Sequence, residues 1–356
     1  MDHTLMAANL DGIVVTAVDL LALTTCIGIL GFRRWVVRFQ DPTPHPSTDL
    51  LVPLWWTLGI CLALLTLSSS GELVRRALEM SGRPIGELAL VLPVVLSKTH
   101  FGRVWLLRPV ALAVLWLGWG RRRRLDSRGV SAAMLAAACA IAASRSLSGH
   151  AADWGDITLH ELMDWAHLLA ASVWGGSLIA LTVTGFRAFT ERADQRRQAV
   201  LDMAGRWSAL AGAALAVVIL TGIYNAWFEL ERPEALWETA YGRLLLVKVS
   251  LVLIIVTLGA ANRYLGLPSL QAWCNGQARK EQASGALAIM LSFLTLEWMQ
   301  RGTHRPLMRF VRKAALEGCL IIAVILCVAV LVGLMPARHL SRMPASQPMN
   351  SNGMLH

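Results

Sequence analysis

Eight long apolar stretches dominate this sequence and restrict the fold to one class. Each is close to, or longer than, the ~20 residues that an α-helix needs to cross a bilayer. Hydrophobic residues make up 55% of the 356 residues and mean hydropathy is +0.53, which is unusual for a soluble domain. We predict an all-α polytopic membrane protein, with a helical bundle over residues 1–338. The predicted spans are 11–32, 52–70, 101–119, 130–148, 160–185, 207–228, 243–262 and 315–335.

Three stretches depart from this pattern. The third span carries Arg103 and Arg108 among its apolar residues, which makes it the weakest of the set. Two further apolar runs, 85–96 and 285–298, are too short to cross the membrane alone. We expect both to be interfacial or re-entrant. The sequence shows no strong internal repeat, and none of the paired, Gly/Pro-broken spans of inverted-repeat transporters.

The basic residues predict the orientation, because Arg and Lys are enriched in cytoplasmic loops. They cluster after the first, third, fifth and seventh spans, as in RRRRLDSR at 121–128. The loop at 149–159 carries none, and the segment 229–242 carries one arginine against four glutamates. We therefore predict that both termini lie on the periplasmic side of a bacterial inner membrane, with a flexible periplasmic tail at 339–356.

The net charge of +10 does not indicate a nucleic-acid partner here. The basic residues lie in loops between apolar runs, where they hold cytoplasmic ends beside the lipid bilayer. No Walker loop, nucleophile elbow or HExxH motif occurs, so we expect no enzymatic activity. None of the six cysteines belongs to a CxxC pair, which argues against a zinc site or a disulfide framework.

The segment HELMDWAHLLAASVWGGSL, residues 160–178, carries the most specific signal. At ~100° per residue, His160, Asp164 and His167 fall within about 60° on one face of a helix. Imidazole nitrogens suit copper, zinc and iron, and a carboxylate can orient an imidazole ring. A buried histidine satisfied by a neighbour is the simpler alternative. The grouping nevertheless predicts a metal site within the outer half of the membrane.

Other ionisable residues fall within the predicted spans, where charge is costly and often functional. Asp19, His100, Arg103, Arg145 and Lys248 are predicted in the outer half. Some of these groups must neutralise each other, and we expect Asp19 or Asp164 to pair with Lys248 or Arg145. A structural ion pair is also expected for Glu317, which follows two basic residues at the inner end of the last span.

The outer tails and loops add weaker candidate ligands for a metal ion. The N-terminus begins Met1-Asp2-His3, and a free terminal amine, amide nitrogens and an imidazole can surround Cu(II) in a square plane. Met6 offers a thioether, which favours Cu(I). His150 lies in a predicted outer loop. These residues leave the oxidation state of the copper ion open.

Several blocks together resemble the bacterial copper resistance protein D family, most strongly over residues 95–338. They are THFGRVWLLR at 99–108, the 160–178 segment, YGRLLLVKVSLVLIIVTLGAANR at 241–263 and LMRFVRKAALEG at 307–318. The resemblance implies an eight-span protein that moves copper inward with a periplasmic copper-binding partner. It also implies that the family positions include His160 or His167, Asp164, Trp174, Lys248 and Glu317. The insert at 266–306 departs from the family.

Two other functions fit the same residues. A haem-binding redox protein would need two axial histidines on facing spans at similar depth, and His167 with His100 is the one plausible pair. A copper-delivery factor for oxidase assembly would share the metal site without transporting the ion. The sequence favours copper transfer but does not separate it from copper delivery.

Overall fold

The computed structural model describes residues 3–37, 48–121, 128–148, 158–190, 194–230, 232–274 and 306–334. Within these ranges the chain is helical apart from short turns, and no β-strand occurs. Eight helical stretches are long and apolar enough to cross a membrane, which confirms the predicted all-α polytopic fold. They are Leu10–Val36, Leu51–Ser81, His100–Gly120, Gly129–Ser146, Leu159–Gly185, Leu201–Leu230, Ala240–Ser269 and Arg312–Gly333. The run at 285–298 and the tail at 339–356 lie outside the described residues.

The described α-helices are numbered in chain order. They are α1 (His3–Gly31), α2 (Thr48–Ser81), α3 (Leu88–Lys98), α4 (His100–Trp105), α5 (Leu107–Gly120), α6 (Arg128–Ser146), α7 (Leu159–Thr190), α8 (Asp194–Leu230), α9 (Ala235–Glu238), α10 (Ala240–Ala261), α11 (Leu267–Cys274) and α12 (Pro306–Gly333). Helices α4 and α5 together form the third span, and π-helical turns extend α1 through Val36 and α10 through Gly266.

Helix α2 continues well past residue 70, where we predicted the second span to end. Charged side chains support this extension, because Arg75 pairs with Glu72 at 2.8 Å and with Glu79. Pairs at these spacings stabilise a helix outside the apolar region. The helix then stops at Gly82, whose φ of +64° suits a C-terminal cap. Its amide donates to the carbonyl of Leu78 at 2.9 Å.

The apolar run predicted at 85–96 forms the short helix α3. It has 11 residues, so it is too short to cross the membrane. Val91 and Val95 pack against Ala77 of α2, and Phe101 of α4 covers the same cluster. The segment therefore returns along the end of α2 and leads into the third span.

The same hydrogen-bonded turn precedes both the third and the seventh span. Thr99 caps α4 by accepting from the Gly102 amide at 2.9 Å while donating to the Val95 carbonyl at 2.7 Å. Thr239 caps α10 with the same bonds, at the same two distances, to Gly242 and Ala235. In both turns an added Cβ on the glycine would lie 2.1 Å from that carbonyl oxygen, so only glycine fits.

Loss of this cap is expected to weaken the seventh span modestly. Thr239→Val keeps the side-chain shape but removes the hydroxyl, so the Gly242 amide loses its acceptor. Removing an N-cap costs about 0.5–2 kcal/mol, and we expect the unfolding midpoint in a titration with sodium dodecyl sulfate to fall accordingly. Thr239→Ser retains the hydroxyl and serves as the control. Equal midpoints for Thr239→Val and the wild type would contradict the assigned role of the cap.

Helices α1 and α7 lie at the centre of the bundle, and their backbones touch. A Cβ on Gly28 would lie 2.0 Å from the carbonyl carbon of Gly176, and one on Gly176 would lie 2.0 Å from the Thr24 carbonyl oxygen. The hydroxyls of Thr24 and Ser172 are 3.4 Å apart across the same contact. Small residues permit such close approach of spanning helices.

The two halves of the chain repeat one arrangement of helices. Helix α1 packs on α2 as α7 packs on α8, and α5 packs on α6 as α10 packs on α12. Across the centre, α1 contacts α12 and α7 contacts α6. Together with the repeated threonine turn, these contacts indicate a structural repeat, although the sequence shows no strong internal repeat. The clearest side-chain identity between the halves lies in this turn, where Thr99, Gly102 and Arg103 recur as Thr239, Gly242 and Arg243, and hydropathy does not detect so short a match.

Candidate functional site

Helix α7 begins with a capping box that fixes its first turn. The Glu161 amide donates to the Thr158 hydroxyl at 3.3 Å, and the Thr158 amide donates to the Glu161 carboxylate at 2.8 Å. This reciprocal pair is a common start signal for a helix. It places His160 in the first turn of α7, and His167 lies about 10 Å further along the axis.

His160 is buried with one ring nitrogen held by a carboxylate. Its Nε2 donates to Glu229 Oε1 of α8 at 3.3 Å, since an ionised carboxylate only accepts. The ring stacks on Phe228 with centroids 4.0 Å apart. With the proton on Nε2, a neutral imidazole keeps its lone pair on Nδ1. That Nδ1 is buried and has no hydrogen-bond partner among the described residues.

His167 has a fixed tautomer as well. Its Nδ1 lies 3.0 Å from the hydroxyl of Thr221 on α8, and this hydroxyl donates to the Val217 carbonyl at 2.6 Å. The hydroxyl proton is therefore engaged, and the oxygen accepts from Nδ1–H. The lone pair of a neutral His167 ring resides on Nε2. The same edge of the ring lies against Gly222, where an added Cβ would be 3.2 Å from Cε1 and 3.6 Å from Nδ1.

Asp164 does not join the two histidines. Its carboxylate accepts from Ser146 of α6 at 2.6 Å, whereas both histidines bond to α8. The three residues share one stripe, as predicted, but this stripe lies between two neighbouring helices. In the part of the chain that the structure describes, no three His, Cys, Asp or Glu side chains converge as a metal site.

A second polar cluster, the Asp19 network, ties the first-half helices together. Asp19 of α1 accepts from Arg145 at 2.7 Å and from Arg108 at 3.2 Å, and its exposed fraction is 1%. Arg108 also donates to Ser69 of α2 and Ser144 of α6, at 3.1 and 3.0 Å. The Asp19–Arg145 pair is one of the pairings proposed from the sequence. One carboxylate thus holds guanidinium groups from two other helices, which gives this network the character of a structural lock.

Sequence analysis missed Arg108 as a member of this cluster. We treated it as a residue that weakens the third span, yet its exposed fraction is 4%. A charged residue within an apolar run is itself a signal, because such residues usually face the protein interior and pair. Glu229 and Thr221 were missed too, since no local pattern marks them as histidine partners.

None of the remaining ionisable candidates bonds to His160 or His167 among the described residues, although Lys248 lies near enough to His167 to act on it electrostatically. Lys248 of α10 is half-buried and interacts electrostatically with Asp164 and Cys327. Glu317 of α12 is buried and accepts from the Asn262 side chain at 3.4 Å, and neighbouring Lys313 is buried too. These groups position helices α10 and α12 against each other rather than adding ligands to His160.

The other predicted ligands are scattered. His100 bonds through Nε2 to the Leu147 carbonyl at 3.1 Å, and Arg103 is exposed at the start of the third span. His3 and Met6 lie in the first turns of α1, but their side chains are outside the described residues, as is the whole of His150. Of these residues, the structure describes the side chains of His100 and Arg103, and neither bonds to His160 or His167.

The chemistry available on α7 is that of two oriented imidazoles. A carboxylate holding one ring nitrogen is the usual support for a metal-binding histidine, because it fixes the ring and raises the basicity of the other nitrogen. His160 has this support from Glu229, and its buried Nδ1 has no hydrogen-bond partner among the described residues. Imidazole is a good ligand for copper and other late transition metals.

Comparisons with known proteins give a consistent result. A family model described as Copper resistance protein D matches residues 201–331, and one described as Copper resistance protein D-like, N-terminal domain, matches 10–159. The copper transport protein CutJ of Bacillus subtilis (strain 168) is 28% identical over 200 residues. The alignment covers 55% of this chain and 36% of that relative, so the chain spans about a third of its length. No solved structure matches.

Proposed function

Given that the chain belongs to the copper resistance protein D family, we propose that it binds copper ions and transfers them across the bacterial inner membrane. The ion is cargo in this proposal, and the protein carries out no covalent reaction. The multi-pass helical bundle provides the necessary enclosure, because ions cross a bilayer only where protein or water replaces lipid around them.

The buried His160 ring is the observation that carries this proposal. Its Nδ1 has no partner among the described residues, and its Nε2 is held by Glu229. Burying an unpaired polar atom is costly unless a ligand compensates for it. A copper ion bound at Nδ1 would supply that compensation. A copper-delivery role for oxidase assembly would use the same atom and differ only in the destination of the ion.

The proposed direction of transfer is inward. His160 lies at the end of α7 for which the loop charges predict a periplasmic position, so cargo would first meet the protein there. A periplasmic copper-binding protein is the proposed donor. Its docking would bring the ion to the first turn of α7, from which His167 lies one step deeper.

The test uses a substitution that keeps the Glu229 bond. In His160→Gln, the side-chain NH₂ replaces Nε2–H as donor, but no lone pair remains in the place of Nδ1. We expect bacteria that express the wild type to accumulate more copper than bacteria with an empty vector, and bacteria that express His160→Gln to stay at the vector level. Elemental mass spectrometry measures total copper, with membrane levels matched by blotting.

The matched control is Leu162→Ala, on the exposed side of the same helical turn. Leu162 is 50% exposed, so its truncation leaves the site intact and copper accumulation at the wild-type level. Equal accumulation in His160→Gln and wild-type cells would refute the role of His160. An unchanged copper content in cells with the wild type would refute import, and oxidase activity in a deletion strain would then test copper delivery.

A further inference from the structure

The internal repeat assigns each polar residue of the first half a counterpart in the second. Thr24 and Ser172 are 148 residues apart and face each other, and Gly28 and Gly176 share that separation and also touch. The two helices are thus in register at their contact. Asp19 of α1 and His167 of α7 are also 148 residues apart, so they occupy equivalent positions in the two helices.

The repeated threonine turns extend this correspondence to the third and seventh spans. Segments THFGRVWLLR (99–108) and TAYGRLLLVK (239–248) begin at the capping threonines and end at Arg108 and Lys248. Both end in a cation at the same distance from the cap. Arg108 therefore corresponds to Lys248, and each belongs to the polar cluster of its own half.

Partners on the other helices correspond as well. Ser68 of α2 bonds to Asp19, and Thr221 of α8 bonds to His167. Ser144 of α6 bonds to Arg108, and Cys327 of α12 lies near Lys248. We refer to His167, Thr221, Lys248 and Cys327 as the His167 cluster.

The two clusters differ in charge, and the difference makes the second cluster more favourable for a cation. Asp19 carries the negative charge that holds two arginines, and its counterpart His167 is a titratable ring with a lone pair on Nε2. Two arginines hold Asp19, whereas Lys248 is the cation that acts on His167 among the described residues, and Asp164 lies near that lysine. A cationic ligand meets less repulsion there.

We infer that the chain consists of two duplicated four-span units with different roles. The Asp19 network stabilises the first unit, and the His167 cluster binds the cargo ion in the second. This rests on the proposed copper transfer and adds His167 as the residue that contacts the ion after His160. The first unit then serves as a fixed scaffold, against which the second unit presents its imidazole.

The test separates contact with the ion from structural support. In His167→Asn, the amide NH₂ replaces Nδ1–H as donor to Thr221, but nothing replaces the Nε2 lone pair. We expect copper accumulation to fall at least about tenfold, equivalent to ~1.4 kcal/mol, while the unfolding midpoint in dodecyl sulfate stays at the wild-type value. The double variant His167→Asp/Lys248→Arg places the counterparts of Asp19 and Arg108 in the second half. We expect this variant to fold but not to accumulate copper.

Asp19→Asn is the matched substitution in the other half. We expect it to lower the unfolding midpoint, because the buried Arg108 and the half-buried Arg145 lose their counter-charge. If His167→Asn lowers the midpoint as much as Asp19→Asn does, His167 is structural and the inference is overturned. If wild type and His167→Asn raise cell copper equally, only this inference fails. A wild type that leaves cell copper unchanged overturns the proposed transfer, and with it the role of His167 as a cargo contact.

Discussion

Replacement of Asp19 by alanine is expected to lower the free energy of unfolding by about 3–5 kcal/mol, the cost of breaking a buried ion pair by removing one partner. Asp19 is the only carboxylate within 4.0 Å of the guanidinium groups of Arg108 and Arg145 among the described ion pairs. Its loss leaves the buried Arg108 and the half-buried Arg145 without a counter-charge. The measurement is the unfolding midpoint in dodecyl sulfate, followed by intrinsic tryptophan fluorescence.

Asp11 offers the matched control, because it is an exposed acidic residue on the same helix. Asp11→Ala removes the same charge and the same atoms from α1 without disturbing a buried pair, and surface charges contribute little. We expect its midpoint to equal that of the wild type. Similar midpoints for Asp19→Ala and Asp11→Ala would mean that water reaches the network and that the ion pairs do not lock the first half.

The spans were predictable from sequence because the membrane imposes a local requirement. A helix that crosses lipid must be apolar over ~20 consecutive residues, whatever its neighbours are. Ends were less predictable, as α2 shows, because the pairing of Arg75 with Glu72 and Glu79 continues the helix beyond its apolar part. Hydropathy does not predict a helix end that depends on such ion pairs.

The partners of the site were not predictable, because they depend on how helices rotate against each other. The sequence places His160 and His167 on one stripe, but only packing brings Glu229 to the first and Thr221 to the second. Arg108 meets Asp19 across 89 residues of chain. Its charge within an apolar span was a signal that we did not use, and no local pattern identifies which carboxylate its partner is.

The repeat stayed hidden for a related reason. Its strongest structural marks are close contacts at glycines and a hydrogen-bonded turn, which need few identical residues. Gly28 and Gly176 meet because both lack a side chain, and no hydropathy pattern distinguishes them from other glycines in apolar spans. Duplicated helices can therefore keep their contacts after most of their side chains have changed.

Substitution of Gly176 by alanine is expected to prevent the central helices from packing. The new Cβ would lie 2.0 Å from the Thr24 carbonyl oxygen and 2.9 Å from Gly28 Cα, which are backbone atoms that cannot move without displacing α1. Overpacking in a core costs about 1–3 kcal/mol where side chains can adjust, and here they cannot relieve the clash. We expect a lower unfolding midpoint and an aggregated elution profile in size-exclusion chromatography.

Two other glycines turn this prediction into a graded series. A Cβ on Gly318 of α12 would have no neighbour within 4 Å, and one on Gly175 would meet the Ile321 side chain at 3.1 Å. Alanine is the better helix former by ~1 kcal/mol, so Gly318→Ala should be neutral or stabilising. Gly175→Ala should cost little, because Ile321 can shift. Stability should therefore fall from Gly318→Ala through Gly175→Ala to Gly176→Ala, and equal midpoints for all three would contradict the backbone contact between α1 and α7.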